Sequence, residues 1–209
     1  MKLLALLSLV PCLVSCLVSC DPAAAPTTAV LRLQSVAGEP IAPLETIGRA
    51  EGPKFGAFIF THTDCPVANR YAPELGRIDT EYTPQGVAFH LVYVDPELTA
   101  AQILEHREAY GYSMAAVRDD YHDLAKLAGA LVTPEIAIFG PDRKLLYCGR
   151  IDDRYDDFGK ARAEASRRDA RLALDAALAG RPIESIRTKA VGCYIADIDT
   201  AGANDGESP

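Results

Sequence analysis

From about residue 30 onward, short apolar runs of strand length alternate with longer segments of helical period. Val30 to Ile47 carries brief apolar stretches broken by Gly38, Pro40 and Pro43, and predicts an irregular hairpin. Phe55 to Phe60 is an unbroken apolar run after Gly52-Pro53, the pattern of a strand covered on both faces. Pro66 suits the first turn of a helix that runs towards Tyr82 with a kink at Pro73. Val87 to Val94, opened by Gly86 and closed by Asp95-Pro96, predicts the next strand. Thr99 and Gln102 form a capping box for a helix with Ile103, Leu104 and Arg107 that stops at Gly111. A short strand at Met114 to Arg118 precedes a helix carrying Leu124 and Leu127. Strands at Ile136 to Phe139 and Leu145 to Cys148 are joined by a Gly140-Pro141-Asp142 turn. The Ala- and Arg-rich segment from Lys160 to Ala179, with Leu174 and Leu178 four apart, predicts a last helix ending at Gly180. The order β-α-β-α-β-α-β-β-α implies an α/β fold, a central mixed sheet flanked by helices with an antiparallel edge.

Ahead of this domain lies Lys2 and an uncharged apolar run from Leu3 to Val18, interrupted by Pro11, which reads as a secretory signal and is short for a membrane span. It ends in the doubled tetrad Leu13-Val14-Ser15-Cys16 and Leu17-Val18-Ser19-Cys20, each resembling a bacterial lipobox. Cys20 is the better lipidation site, because a polar, Pro- and Ala-rich tether begins directly after it. The expected organisation is a signal peptide over 1–19, a lipidated Cys20 and tether over 20–29, a folded domain over 30–195 and a disordered acidic tail over 196–209. This places the domain in a bacterial cell envelope, on the periplasmic side of a membrane that holds its lipid anchor. The 209 residues carry 21 basic against 29 acidic side chains and no Trp. An acidic chain without a basic stripe or stacking aromatics excludes nucleic acid as a first reading.

Removing the leader leaves Cys65, Cys148 and Cys193 of the six cysteines. Three are too few for a disulfide scaffold, and an odd number leaves at least one free thiol. Cys65 falls where the first core strand meets its helix. A thiol at a helix N-terminus faces unpaired N–H groups and the positive end of the helix dipole, which favour the thiolate. Cys148, at a strand end, reads as a buried passenger. His90 in an apolar strand reads as a hydrogen-bonded core residue, and His106 and His122 as helix-surface residues. Asp152 and Asp153 suit turn capping or a cation site equally.

The run Phe60-Thr61-His62-Thr63-Asp64-Cys65-Pro66-Val67-Ala68-Asn69-Arg70-Tyr71-Ala72-Pro73-Glu74-Leu75 resembles the active-site segment of extracytoplasmic thioredoxin-like proteins. Val132-Thr133-Pro134 is similar to that family's cis-proline loop, where a substrate disulfide can pair with an exposed backbone edge. The strongest likeness is to redoxin-domain proteins of the alkyl hydroperoxide reductase / thiol-specific antioxidant superfamily. It spans roughly Gly52 to Ile195 and includes Gly149-Arg150-Ile151-Asp152-Asp153 and Gly192-Cys193. The resemblance implies a thioredoxin-like fold and thiol–disulfide chemistry outside the cytoplasm. Cys65 would be the nucleophile, Thr133 and Pro134 the substrate-orienting loop, and His62, Asp64 and Pro66 would tune the thiol. Partners would be protein thiols and disulfides or a small thiol reductant, and no cofactor or metal is implied.

Two departures limit this. Ala68 stands where the second Cys of a C-x-x-C motif would be, so a 65–68 disulfide cannot form, and Asp64 replaces the usual Trp. The peroxidase Pro-x-x-x-Thr-x-x-Cys loop is absent, with Phe58 and His62 in its Pro and Thr places. A mixed disulfide at Cys65 needs another thiol to resolve it, and Cys193 is the best placed. A thiol peroxidase of atypical motif stays open as an alternative. So does a non-enzymatic module with a structural Cys65–Cys193 bridge that binds a partner protein or copper, the latter through Cys65, Cys193 and His62.

Overall fold

The chain enters its sheet through a small hairpin, β1 (Leu33–Gln34) against β2 (Pro40–Ile41), followed by one helical turn, α1 (Pro43–Thr46). The computed structural model describes residues 31–196. The apolar leader, Cys20, the tether and the acidic tail beyond residue 196 lie outside the described residues. After α1 come β3 (Phe55–Thr61), α2 (Pro66–Arg70), α3 (Ala72–Tyr82), β4 (Val87–Tyr93), α4 (Ala100–Ala109), β5 (Ala115–Arg118) and α5 (Asp123–Ala128). The second half holds β6 (Val132–Thr133), β7 (Glu135–Phe139), β8 (Leu145–Gly149), β9 (Tyr155–Asp157), β10 (Lys160–Ala161), α6 (Asp169–Leu178) and β11 (Cys193–Tyr194).

The main sheet has seven strands in the order β2-β1-β5-β4-β3-β7-β8. Strands β3, β4 and β5 run parallel, each joined to the next by a crossover with helix, while β7 and β8 add antiparallel on the other side of β3. Strand β3 is therefore central, and all seven of its residues are buried. Phe55, Ala57 and Ile59 join one core with Cys65, Leu75, Ile78 and Leu174; Phe58 and Phe60 join the other with Leu124, Ala128 and Cys148. Two covered faces explain why this strand reads as continuous apolar sequence rather than alternation. The class is the expected one, a thioredoxin-like mixed α/β sheet flanked by helices.

Several local expectations need correction. The helical break falls at Tyr71, which separates α2 from α3, with Pro73 inside the first turn of the second helix. Pro73 has no N–H to return to the carbonyl of Asn69, so the helix restarts where a proline is tolerated. The last helix begins at Asp169, nine residues later than its composition suggested. Asp153 holds the preceding segment instead: it accepts the backbone N–H groups of Ser166 (2.7 Å) and Arg167 (2.8 Å) and pairs with Arg162. Residues 155–161 form the β9–β10 hairpin. His106 and His122 are buried, each 6% exposed, rather than on helix surfaces. His122 Nε2 bonds the Val94 carbonyl (2.7 Å), and His106 is bonded through both ring nitrogens. His90 stacks on Phe58 at 5.0 Å, and its buried Nδ1 has no hydrogen-bond partner among the described residues.

Candidate functional site

The loop His62–Asp64 leaves the C-terminal end of the central strand β3, and Cys65 caps the helix that follows. Its backbone is extended (φ −78°, ψ 107°), so its side chain turns back over the first turn of α2, where Sγ accepts the N–H of Ala68 at 3.4 Å. This is the capping geometry usually supplied by Ser or Asp, here made by sulfur. Pro66 occupies the first turn, where its missing N–H removes nothing. The Cys65 thiol donates to the carbonyl of Thr133 at 3.0 Å, and the Thr133–Pro134 peptide is cis.

Strand β6 is covered by the C-terminal segment. Strand β11 pairs antiparallel with β6, placing Cys193 opposite Thr133 and Tyr194 opposite Val132. A Cβ on Gly192 would lie 1.9 Å from the Thr133 carbonyl oxygen, so only glycine permits this approach. Anchors on both sides hold the strap. Arg187 donates to the carbonyls of Ala128 (2.6 Å) and Gly129 (2.8 Å), capping the C-terminal end of α5 with a cation. Thr188 fits against Gly149, meets the Tyr147 hydroxyl at 2.6 Å and accepts the N–H of Arg150. The Ile186 carbonyl accepts the N–H of Cys148, and the Ile195 N–H donates to the Leu131 carbonyl.

This arrangement brings Cys193 within hydrogen-bonding reach of Cys65, both as free thiols. Burial pushes the Cys65 thiol up, but hydrogen bonds from the Cys193 thiol, Thr133 and the N–H groups of Ala68 and Cys193 outweigh it, and the net shift is downward. Cys193 moves the opposite way, pushed up to about 12 by burial, by its hydrogen bond to Cys65 and by the charge there. Of the two thiols, Cys65 is therefore the one whose ionisation the site favours. Cys65 is only 1% exposed, whereas Cys193 is partly exposed and its neighbour Tyr194 is 79% exposed. Cys148 is fully buried in the opposite core and is pushed up to about 12 by burial and the neighbouring charge of Glu135.

The residues expected to tune Cys65 are less directly placed. His62 accepts the Asp64 N–H through Nδ1 and faces Asp95 through Nε2 at 3.3 Å, so its hydrogen bonds go elsewhere than to sulfur. Asp64 is exposed. Among the described residues, no group of three His, Cys, Asp or Glu side chains is placed to hold a metal ion, so His62 does not complete a copper site with the cysteines. Asp152 accepts the Tyr71 hydroxyl (2.6 Å) and the Arg154 N–H; with Asp153 also engaged, neither forms an open cation site.

A further set of residues near the site carries no signal in the sequence pattern. Asn69 donates to the Thr63 carbonyl (2.7 Å) and accepts from His106 Nε2 (2.9 Å), whose Nδ1 accepts from the Tyr93 hydroxyl (2.9 Å). The tautomer follows from the Asn69 carbonyl, which can only accept. Burial keeps His106 below its ordinary value, consistent with a neutral ring. This chain ties the loop before Cys65 to α2 and to the sheet.

No protein-family model matches the chain, and no curated protein matches it. Among solved structures, it is similar to an uncharacterized conserved protein from Geobacillus kaustophilus, at 26% identity and a TM-score of 0.67 over 79% of this chain and 87% of that one. It is also similar to a hypothetical protein from Sinorhizobium meliloti 1021, at 24% identity and a TM-score of 0.65 over 78% and 88% of the two chains. These likenesses bear on the fold alone, a mixed sheet flanked by helices whose strand order is thioredoxin-like, and leave the chemistry to the site itself.

Proposed function

We propose that this chain is an extracytoplasmic thiol–disulfide oxidoreductase, held to a bacterial membrane through a lipid on Cys20, in which Cys65 is the nucleophile and Cys193 the resolving thiol. The observation that carries the reading is the pairing of a helix-capping cysteine of lowered pKa with a second cysteine, brought to it by a strap seated on the cis-proline loop. Among the described residues, no helix is long and apolar enough to cross a membrane.

In the first step the Cys65 thiolate attacks a substrate disulfide, forming a mixed disulfide and releasing one substrate thiolate. In the second, Cys193 loses its proton to solvent and attacks the Cys65 sulfur, which frees the second substrate thiolate and leaves a Cys65–Cys193 disulfide. The substrate gains two electrons and the protein loses them. Two of the three causes that hold Cys193 protonated, its hydrogen bond to Cys65 and the charge there, disappear once Cys65 is capped. Cys193 thus becomes more acidic when it is needed. For a protein substrate, β11 must leave β6 so that an extended segment can take its place beside Thr133 and Pro134.

The test is glutathione-driven reduction of a peptide disulfide. Activity should vanish in Cys65→Ser, while Cys193→Ser should accumulate a mixed disulfide on Cys65. Equal turnover by Cys65→Ser and the wild type would overturn the proposal. The burial of Cys65 supports a second reading, in which a hydroperoxide reaches the sulfur more readily than a protein disulfide. Peroxide consumption that depends on Cys65 would favour that reading.

A further inference from the structure

The two sulfurs of the pair differ in how they face solvent, and this has a consequence for how the oxidised protein is reduced. Cys65 is enclosed: its sulfur lies against the Thr133 carbonyl and the Ala68 N–H, and the residue is 1% exposed. Cys193 lies on the covering strand, partly exposed beside the highly exposed Tyr194. In the reduced protein the pairing of β11 with β6 sets Cys193 opposite Thr133, the residue whose carbonyl accepts the Cys65 thiol, so Cys193 covers Cys65 from the solvent side. The same sulfur therefore remains outermost in the disulfide.

We infer that an external thiol reduces the Cys65–Cys193 disulfide by attacking the sulfur of Cys193, with Cys65 as the leaving group. This rests on the two cysteines being a redox pair, as proposed above. The incoming thiolate forms a disulfide with Cys193 as the Cys65–Cys193 bond breaks, and the bonding pair leaves on Cys65 as thiolate. A second thiol of the reductant then attacks the mixed disulfide at the reductant's own sulfur. This releases oxidised reductant and the Cys193 thiolate, which takes a proton from water. The reductant loses two electrons and the protein gains them.

The leaving-group preference has the same direction as the access. Charge released on Cys65 meets the Ala68 N–H that its sulfur already accepts at 3.4 Å, whereas among the described residues no N–H group donates to the Cys193 sulfur. Exchange is faster when the departing thiol is the more acidic one. The two cysteines thus divide the cycle: oxidising equivalents arrive at Cys65, and reducing equivalents arrive at Cys193.

Glutathione on the oxidised full chain tests this, with acid quenching, alkylation by N-ethylmaleimide and peptide mapping. Early in the reaction glutathione should be found on Cys193 and N-ethylmaleimide on Cys65, exceeding the reverse labelling by about tenfold or more. The reduction rate should also rise linearly with glutathione, because an outermost sulfur needs no prior opening. Glutathione found mainly on Cys65, even labelling of the two, or a rate that saturates at a strap-opening step would overturn the inference while leaving the redox pair intact. Failure of the Cys65–Cys193 disulfide to form at all would remove both the inference and the reading beneath it.

Discussion

Gly192→Ala is the sharpest probe of the strap. The added Cβ would lie 1.9 Å from the Thr133 carbonyl oxygen and 3.2 Å from the Pro134 nitrogen, both backbone atoms with no freedom to rotate aside. Relief requires β11 to lift from β6, the kind of overpacking that costs about 1–3 kcal/mol. The reduced protein can relieve the clash by releasing the strap, but the disulfide form must keep Cys193 against Cys65. The penalty therefore falls mainly on the oxidised state. It should weaken the disulfide by roughly 5–150-fold, which raises the potential of the couple by about 20–65 mV. The assay is redox equilibration against glutathione buffers, with hydrogen exchange of the Ile195 amide, bonded to Leu131, as a direct reading of strap release. Gly76→Ala in α3 is the control: its Cβ meets nothing within 4 Å, so the potential should not move. An unchanged potential in Gly192→Ala, together with unchanged protection at Ile195, would refute the argument.

Other outcomes follow from the same contacts. His90 is held down to about 4 by burial, so the unfolded chain takes up a proton below the ordinary histidine value while the folded chain does not. Stability should therefore fall as pH drops from about 6.5 to 4, by up to roughly 3 kcal/mol, and His90→Phe should flatten that part of a thermal-unfolding profile. Asn69→Ala removes the partner of both Thr63 and His106. It should cost about 1–3 kcal/mol in urea unfolding and speed alkylation of the otherwise enclosed Cys65 by loosening its loop. Arg187→Ala uncaps α5 and frees one anchor of the strap. About 1–2 kcal/mol should be lost, with greater hydrogen exchange at Ile195 than at β3. In the reduced protein, iodoacetamide should show Cys65 ionising below an ordinary thiol and Cys193 well above it; the reverse order would contradict the geometry.

What the sequence disclosed was mostly local. The apolar run of β3, the proline after Cys65 and the Thr99–Gln102 capping box depend on neighbours within a few residues, and each took the expected form. The sequence pattern sets His106 on a helix surface because its partners, Asn69 and Tyr93, belong to other elements that only folding brings near. Helix α6 is shorter than its composition predicts because Ala and Arg favour helix intrinsically, whereas Asp153 draws the backbone of Ser166 and Arg167 into a loop. Cys193 was singled out on chemical need, since a mixed disulfide wants a second thiol. The means of its delivery was not visible: a two-residue strand has no periodicity, and Arg187, Thr188 and Gly149 signal nothing until they meet.

The central claim, that Cys65 and Cys193 are a working redox pair, is tested most directly by peptide mapping. The protein would be differentially alkylated across a graded series of redox buffers. The account predicts one Cys65–Cys193 linked peptide that opens and closes reversibly in the folded protein, with Cys148 unmodified throughout. A linkage that resists reduction until the protein unfolds, or no linkage under strong oxidation, would contradict it.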